Sequence, residues 1–264
     1  MSSKIDQATG GTMCVTVNVH GASVELRAVN EDRLVGRYAY GNYMPNGVDR
    51  LLRLFQALNI PATFFVPGRE AERHPEMIRE INAAGHEIAA NGYALEDHST
   101  LGDAQLDVLK RAHEVIAECI GEAPVGWRAP DGLMSTDTLS HLSALGYKYD
   151  SSFQDDDFPY LLDADGGAGM VELPQNPTLL DQNLFSIKQP DVRVHKNWTE
   201  EFNGLNSVGA FICMTLHPRQ DYGVGRAPRM KHLESFLRET QYSPRPITFK
   251  TCAEVAALAM KAAA

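Results

Sequence analysis

Apolar positions along the chain alternate between short continuous runs and longer stretches with helical spacing. The short runs are rich in β-branched and aromatic residues and are bounded by turn residues, which predicts strands. They cover residues 14–19, 61–66, 86–90, 125–130, 147–152, 170–174, 210–217 and 247–249. Apolar residues three or four positions apart predict helices over residues 47–58, 70–84, 103–120, 135–145, 228–240 and 253–263. Residues 36–46 are predicted to be a polar loop with aromatics, and residues 153–207 are predicted to be rich in loops.

The alternation of strands and helices continues along the chain without a linker rich in glycine, serine or proline. This pattern predicts a single α/β domain over residues 1–264 with a mainly parallel sheet. The length of 264 residues favours a seven- or eight-fold β/α barrel, with a doubly wound open sheet as the alternative. No GxGxxG follows the first strand and no GxxxxGK[ST] occurs, so the sequence does not indicate a nucleotide-phosphate loop.

Charge and cysteine content exclude several classes of protein. The chain has 24 Lys and Arg residues against 34 Asp and Glu residues, a formal net charge of −10, which disfavours nucleic acids and anionic membrane surfaces as partners. Its 4 cysteines stand far apart, so neither a disulfide scaffold nor a zinc knuckle is indicated. No secretion signal and no membrane-spanning segment is visible. We therefore expect a cytoplasmic protein.

Polar residues end four of the predicted strands. Asn18 and His20 end the first, Asn91 follows the third, Arg128 lies in the fourth and His217 ends the seventh. In a β/α barrel the chemistry takes place where the carboxyl ends of the strands meet the loops, so these residues form a candidate active site. A histidine at a strand end is also compatible with a purely structural hydrogen bond. An ion pair with Asp131 or with the acidic run at residues 155–157 is an alternative for Arg128.

Four further residues are candidates for contact with a substrate, in addition to Asn91. Tyr40 and Tyr43 lie in the predicted aromatic loop, where a tyrosine can wall a pocket and donate a hydrogen bond. Asp156 is the centre of the acidic run, a pattern that is also typical of a solvated loop. Pro130 follows the fourth strand closely.

Seven ordered blocks of sequence resemble the polysaccharide deacetylase (NodB-homology, carbohydrate esterase family 4) superfamily. The blocks are VTVNVHGAS at 15–23, PATFFVPG at 61–68, GHEIAANGY at 85–93, GWRAP at 126–130, YDSSFQDDDFPY at 149–160, VELP at 171–174 and MTLHP at 214–218. The resemblance covers nearly all of residues 14–238. It implies an irregular seven-stranded β/α barrel, which agrees with the interpretation of the strand pattern.

The metal ligands of this family are replaced in the present chain. Metal-dependent members carry two acids in the first block, where this chain has Asn18 and His20. The third block supplies two histidine ligands four residues apart, where this chain has Asn91 and Leu95. Neither an amide nor a leucine suits zinc, so the resemblance implies that no metal cofactor is bound. A rearranged site for a divalent metal such as zinc would draw on His20, Glu96, Asp97 and His98.

Loss of the ligands on a retained scaffold resembles an offshoot of the family, the metal-independent hydrolases of cyclic ureides and imides. An allantoinase of this branch likewise has asparagine at the position of the catalytic acid. The tyrosine-glycine stretch within residues 37–52 resembles the intracellular branch as well. The resemblance implies a hydrolase of non-peptide C–N bonds that opens a small cyclic imide, ureide or amide, and a homo-oligomer, a tetramer in its relatives.

The resemblance also suggests roles for the candidate residues. His217, with a reference pKa near neutrality, is the expected base or acid, and His20 a second proton-transfer group. Arg128 is expected to orient the substrate or stabilise the oxyanion, while Asn18 and Asn91 offer amide donors to imide oxygens. Two alternatives stay open: a metal-dependent deacetylase or deformylase with a rearranged site, and a catalytically inactive member that acts as a binding protein.

Overall fold

A computed structural model describes residues 3–27, 38–162 and 169–264 of the chain. Its strands are β1 (Thr12–Asn18), β2 (Ala62–Val66), β3 (Glu87–Ala90), β4 (Gly126–Trp127), β5 (Tyr149–Asp150), β6 (Tyr160–Leu162), β7 (Met170–Glu172), β8 (Ile212–Leu216) and β9 (Thr248–Phe249). Its helices are α1 (Lys4–Thr9), α2 (Ser23–Leu26), α3 (Tyr38–Asn42), α4 (Met44–Leu58), α5 (Gly68–Arg73), α6 (Pro75–Ala83), α7 (Gln105–Ile120), α8 (Thr138–Ala144), α9 (Asp181–Phe185), α10 (Asp191–Val208), α11 (Ala227–Gln241) and α12 (Cys252–Ala263).

The strands form one curled sheet in the order β6-β7-β5-β4-β3-β2-β1-β8, and β9 pairs with the beginning of β1. Seven of them, from β7 to β8 in this order, are parallel, and β6 is antiparallel to β7 at the margin. A parallel bridge from Leu180 to Thr215 brings the chain after β7 alongside β8. The predicted irregular β/α barrel with seven parallel strands is confirmed.

Side chains of β1 alternate between two faces of the sheet, as strand geometry requires. Met13, Val15 and Val17 belong to the larger apolar cluster, which includes residues of the surrounding helices. Cys14 belongs instead to a smaller cluster inside the curl, with Phe65 of β2 and Tyr149 of β5. Asn18 lies two residues beyond Thr16 and four beyond Cys14, so it is on the same face of β1 as Cys14. Its side chain therefore points to the inside of the barrel.

Two predicted elements near the site differ from the observed ones. The predicted helix over residues 70–84 is two helices, α5 and α6, which meet at His74. Pro75 causes the break, because a proline disfavours the helical conformation of the residue before it. The predicted loop over 36–46 is largely helical, since α3 begins at Tyr38 and α4 at Met44. Residues 36 and 37 lie outside the described residues.

The prediction that residues 153–207 are rich in loops is wrong for α9 and for α10, an 18-residue helix. Val194, Trp198 and Phe202 are buried at a spacing of four residues, which forms a narrow apolar stripe on an otherwise polar helix. Trp198 and Phe202 pack against Phe236 of α11, and α10 contacts the 3-10 turn Pro177–Leu179. This packing holds the segment that precedes α9 against the barrel.

No helix in the described part of the chain has the length and apolarity to cross a membrane. The single domain over residues 1–264, the cytoplasmic location and the homo-oligomer stay predictions.

Candidate active site

The carboxyl ends of β1, β3, β4 and β8 bring the predicted polar residues together. The Nδ2 atom of Asn18 lies 3.1 Å from Nε2 of His217, and the rings of His20 and His217 are 4.9 Å apart between their centres. His20 also contacts Asn91, which follows β3, with 2.9 Å between His20 Nε2 and Asn91 Oδ1. Asn18, His20 and Asn91 form the floor of a cavity at the mouth of the barrel, and His217 lies fully buried directly behind Asn18.

A chain of hydrogen bonds fixes the tautomer of His217. Arg128 donates from Nη1 to Oδ1 of Asn18 at 2.9 Å, and a guanidinium has no acceptor, so Asn18 must present its NH₂ group to His217. Nε2 of His217 therefore accepts this hydrogen bond. The ring proton is on Nδ1, which donates to Oδ1 of Asp181 at 2.7 Å. The lone pair of His217 thus faces the floor of the cavity.

Asp181, which the sequence analysis missed, holds His217 in place. Its side chain is fully buried, and its Oδ2 accepts hydrogen bonds from the backbone N–H groups of His217 at 2.8 Å and Val224 at 3.0 Å. A buried carboxylate behind an imidazole orients the ring and stabilises the imidazolium that forms when the ring takes a proton. Asp181 lies 36 residues before His217, so no local motif joins the two. The only signal is an acid directly after two leucines, Leu179 and Leu180.

A second chain of hydrogen bonds fixes His20. Asn91 donates from Nδ2 to the carbonyl oxygen of Arg128 at 2.9 Å, so its Oδ1 accepts from His20 Nε2. The hydroxyl of Tyr222, another residue that the sequence analysis missed, lies 3.3 Å from Nδ1 of His20 and is the donor there. Burial, with a smaller effect from His217, holds the pKa of His20 well below its ordinary value. His20 is therefore an uncharged member of the floor.

The structure changes the interpretation of Arg128. Arg128 is among the residues that line the cavity but is only 2% exposed, and its Nε donates to the backbone oxygen of Ser151 and its Nη2 to the Ser151 hydroxyl, both at 2.8 Å. Nη1 bonds to Thr16 and Asn18, and the guanidinium carbon lies 3.8 Å from the centre of the Phe65 ring. All three nitrogens are bonded to protein groups. Arg128 therefore orients Asn18 and is not directed toward a substrate or an oxyanion.

The two ion pairs considered for Arg128 do not form. The carboxylate of Asp131 pairs with Arg27, and Asp155 accepts a hydrogen bond from Tyr160. Asp131 has a left-handed backbone with φ of 54°, in the turn that begins at Pro130. Its backbone N–H takes no part in the two hydrogen bonds of this turn, which run from Gly132 to Ala129 and from Leu133 to Pro130.

A cavity of about 230 Å³ lies above this floor. Most of its polar lining consists of side-chain carboxamides, those of Asn18, Asn91, Gln154, Gln175, Gln182 and Asn183. Among the described residues that line it, Asp131 supplies a carboxylate, which pairs with Arg27, and Arg128 supplies a guanidinium, which is bonded to Ser151 and Asn18. The cavity therefore offers a ligand many hydrogen-bond donors and acceptors that carry no charge.

Three of the predicted substrate-binding residues lie elsewhere. Tyr40, on α3, is 43% exposed, and Tyr43 packs on Arg50, with the guanidinium carbon 5.5 Å from the ring centre. Asp156 lies on an exposed loop and accepts from the backbone N–H of Phe158 at 3.0 Å. None of the three lines the cavity. Pro130 is buried and begins the turn whose next two residues do line it.

The residues present do not fit a metal of the kind that the family holds. Glu96 accepts from the backbone N–H groups of Tyr93 and Ala94, and Asp97 accepts from Ser99. His98 is buried against Trp127, with 5.4 Å between the ring centres. Over the described ranges, no three His, Cys, Asp or Glu side chains form a group suited to a metal ion. The absence of a metal cofactor stays a prediction.

A buried pair of carboxyl groups, Asp150 and Glu172, supports one wall of the cavity. The two residues are paired in the register of β5 and β7 and are fully buried. Asp150 Oδ1 accepts from the hydroxyl of Ser152 at 2.6 Å, and Glu172 Oε1 accepts from the N–H of Phe153 at 2.9 Å. Their other oxygens have no donor unless one of the two carboxyls is protonated.

Glu172 is the member of the pair that keeps the proton. Burial, and then the charge of Asp150, raises the pKa of Glu172 well above its ordinary value. Burial also raises the pKa of Asp150, although hydrogen bonds from Glu172 and Ser152 and the charge of Arg128 oppose that shift. Glu172 therefore donates a hydrogen bond to Asp150, which fixes the segment that carries Ser152.

We expect the Glu172→Gln variant to reduce the loss of stability at high pH. A raised pKa in the folded state stabilises the fold fully below the unfolded value of about 4.5, and this stabilisation is lost as the pH rises through the folded pKa. The glutamine donates the same hydrogen bond at every pH. Urea unfolding between pH 5 and 9 should show the variant gaining relative to the wild type as the pH rises. A difference that does not change with pH would contradict this, and Glu118→Gln, at an exposed position on α7, is the control.

The comparisons with known proteins agree with this fold. A sequence model for polysaccharide deacetylases matches residues 37–149. The chain is 40% identical over 207 residues to a peptidoglycan deacetylase of Helicobacter pylori, covering 65% of this chain and 71% of that protein. It is 36% identical over 254 residues to a peptidoglycan deacetylase-like protein of Gibberella zeae, covering 80% of this chain and 74% of the relative.

Solved structures show the same architecture over almost the whole chain. A crystal structure described as a polysaccharide deacetylase of Mycobacterium smegmatis superposes with a TM-score of 0.85 at 32% identity, covering 94% of this chain and 90% of that one. The structure of Puue allantoinase superposes with a TM-score of 0.82 at 24% identity, covering 94% and 89%. The second similarity concerns the fold alone.

The fold, the histidine–aspartate pair and the relatives together define a barrel of the hydrolase class that acts on non-peptide carbon–nitrogen bonds. The chain belongs to the polysaccharide deacetylase (NodB-homology, carbohydrate esterase family 4) family. The predicted family and enzyme class are confirmed at this level.

Proposed function

We propose that this protein opens the ring of a small cyclic imide, ureide or amide by hydrolysing a C–N bond without a metal. The observation that carries the proposal is the cavity lined by carboxamides, one of which, Asn18, contacts the buried His217–Asp181 pair. Imides and ureides alternate C=O and N–H groups around a planar ring. Carboxamide side chains offer the complementary donors and acceptors without a charge.

The size of the cavity favours a single small ring over a sugar polymer. About 230 Å³ is less than the 300–1,000 Å³ typical of sites for drug-sized ligands. Two relatives are named for the deacetylation of peptidoglycan, which also breaks an amide bond but in a polymer. The allantoinase with this fold is named for an enzyme of a cyclic ureide. The proposed substrate thus contains an amide-type C–N bond, as the substrates of those relatives do, but in a small ring and not in a polymer.

In the proposed reaction His217 carries one proton from water to the leaving nitrogen. Nε2 takes the proton as the water oxygen attacks the ring carbonyl, and the carbonyl oxygen becomes an oxyanion. Asp181 stabilises the imidazolium, which then gives its proton to the ring nitrogen as the C–N bond breaks. The opened ring carries a carboxylic acid at one end and, at the other, an amide if the substrate is an imide, a urea if it is a ureide, or an amine if it is a cyclic amide.

Two donors of the site are suited to the oxyanion. Arg128 holds the NH₂ group of Asn18 at 3.1 Å from His217 Nε2. A water or substrate that displaces this NH₂ group from the lone pair of Nε2 still lies next to it. Asp131 lines the cavity, and its backbone N–H, which takes no part in the two hydrogen bonds of its turn, is the second candidate donor. Donors fixed in advance toward the developing charge are effective because they need not reorganise during the reaction. Asn91 and His20 complete the floor.

A substrate panel tests this proposal. We expect the purified protein to hydrolyse at least one of succinimide, hydantoin and allantoin, followed by the absorbance of the ring or by NMR. The His217→Ala variant should lose this activity, because it removes the Nε2 lone pair that takes the proton from water. His232→Ala, on α11 outside the cavity lining, is the matched control. Release of acetate from N-acetylglucosamine oligomers, with every ring left intact, would contradict the proposal.

A further inference from the structure

Two of the six carboxamides in the cavity are not held by the protein. Four of them make hydrogen bonds to protein groups: Asn18, Asn91, Gln175 and Asn183. Gln154 and Gln182 also line the cavity, and the side chain of neither makes a hydrogen bond within the described ranges. A ligand can therefore pair with these two groups without breaking a hydrogen bond within the protein.

The two free carboxamides come from different sides of the barrel. Gln154 follows β5 and lies two residues beyond Ser152, whose hydroxyl donates to Asp150 and accepts from the backbone N–H of Ala129 at 2.8 Å. Gln182 lies in α9, in the chain that the bridge between Leu180 and Thr215 places beside β8. These contacts hold the backbone of both segments, so the side chains of Gln154 and Gln182 start from fixed positions on two walls of the cavity.

Gln182 directly follows Asp181, the residue that orients His217. A ring that bonds to Gln182 is therefore placed by the same helical turn that places the reactive nitrogen of His217. A carboxamide donates to a carbonyl oxygen and accepts from an N–H group, so it can pair with both groups of an imide or ureide edge. The pairing needs an N–H group on the ligand. An N-methyl group in that position leaves the carbonyl oxygen of the glutamine without a donor and crowds that oxygen.

We propose that Gln154 and Gln182 determine the specificity of the site by pairing with the unsubstituted amide edge of a ring. The inference rests on the proposed function for the identity of the ring. The ligand class is a neutral cyclic imide or ureide with a free N–H next to a carbonyl. An N-alkylated ring is excluded, because it lacks the donor that these side chains accept.

The test is the binding of succinimide and N-methylsuccinimide, measured by titration calorimetry or ligand-observed NMR. We expect the wild type to prefer succinimide, and Gln154→Leu or Gln182→Leu to weaken its binding by about 10-fold, roughly one lost hydrogen bond. Binding of N-methylsuccinimide should change much less. The variants Gln154→Met and Gln182→Met remove both the donor and the acceptor at nearly constant size, should weaken succinimide binding in the same way, and keep the test valid if a leucine variant does not fold. Gln7→Leu, at an exposed position on α1, is the control.

The inference is overturned if the variants keep the wild-type affinity and preference, if the wild type binds both rings equally, or if it binds neither. Turnover of succinimide, measured on the same proteins, separates this inference from the proposed function. Turnover with the preference unchanged in every variant overturns the inference alone. Binding with the expected pattern but without turnover of any ring overturns the proposed function alone.

Discussion

Replacing Asp181 with asparagine should lower kcat for ring hydrolysis by about 10³- to 10⁴-fold, the loss that reversal of a catalytic histidine tautomer causes in serine proteases. In the wild type, Asp181 Oδ2 accepts two backbone N–H groups and Oδ1 accepts from Nδ1 of His217. In the variant, the single oxygen must remain with the two backbone donors. The NH₂ group then faces His217 and donates to Nδ1, so the ring proton moves to Nε2. The lone pair that takes the proton from water is lost.

The tautomer can be observed independently of any substrate. The ¹⁵N chemical shifts of the ring of His217 should show the proton on Nδ1 in the wild type and on Nε2 in the Asp181→Asn variant. Asp107→Asn, an exposed substitution on α7, should change neither the shifts nor kcat. A variant at Asp181 that keeps kcat within about threefold of the wild type would show that the lone pair on Nε2 is not used.

The second large effect is expected on stability, from Arg128→Met. The guanidinium is buried and bonds to Ser151, Thr16 and Asn18, so its removal leaves several buried polar groups without a partner. Each such group costs about 1–3 kcal/mol, and we expect the free energy of unfolding to fall by about 3 kcal/mol or more. Lysine should restore it only in part, because an ammonium lacks the planar fork that reaches these partners. Urea unfolding followed by tryptophan fluorescence measures the change.

Arg53→Met is the matched control for this variant. The side chain of Arg53 is 77% exposed on α4 and pairs with Asp49 one turn earlier, a surface pair worth only a few tenths of a kcal/mol. A loss of stability at Arg128 no larger than that at Arg53 would contradict a structural role for the buried guanidinium. In that case Arg128 would be free for the direct contact with substrate that its place in the sequence first suggested.

The barrel could be predicted from the sequence because its strands are fully buried and therefore appear as continuous apolar runs. The run that forms β1 and the helical spacing in α7 are examples in which local pattern and final structure agree. The helix α10 was missed because it buries only a narrow stripe of apolar residues, and its stability comes from packing on α11. Such packing between distant segments leaves little trace in the local pattern.

The site was predictable to the extent that its residues end strands. Asn18, Asn91 and His217 follow buried runs, and parallel strands bring such positions to one edge. Asp181 could not be selected from its local sequence, since its contact with His217 depends on the course of the chain after β7. Tyr40 and Tyr43 were predicted from residue type alone, and the structure directs them elsewhere. Arg128 lies at the predicted end of the barrel. Whether its guanidinium group faces the cavity or the protein depends on the side chains that surround it inside the barrel.

The central claim is that this site opens a ring through His217 without the metal of the wider family. The most direct test is the turnover of the best ring substrate by protein that has been dialysed against a strong chelator, with elemental analysis of the same sample. We predict an undiminished kcat at less than about 0.05 equivalents of any transition metal, because no step of the proton transfer through His217 and Asp181 requires a metal. Activity that disappears with the metal and returns in proportion to added zinc would contradict the account.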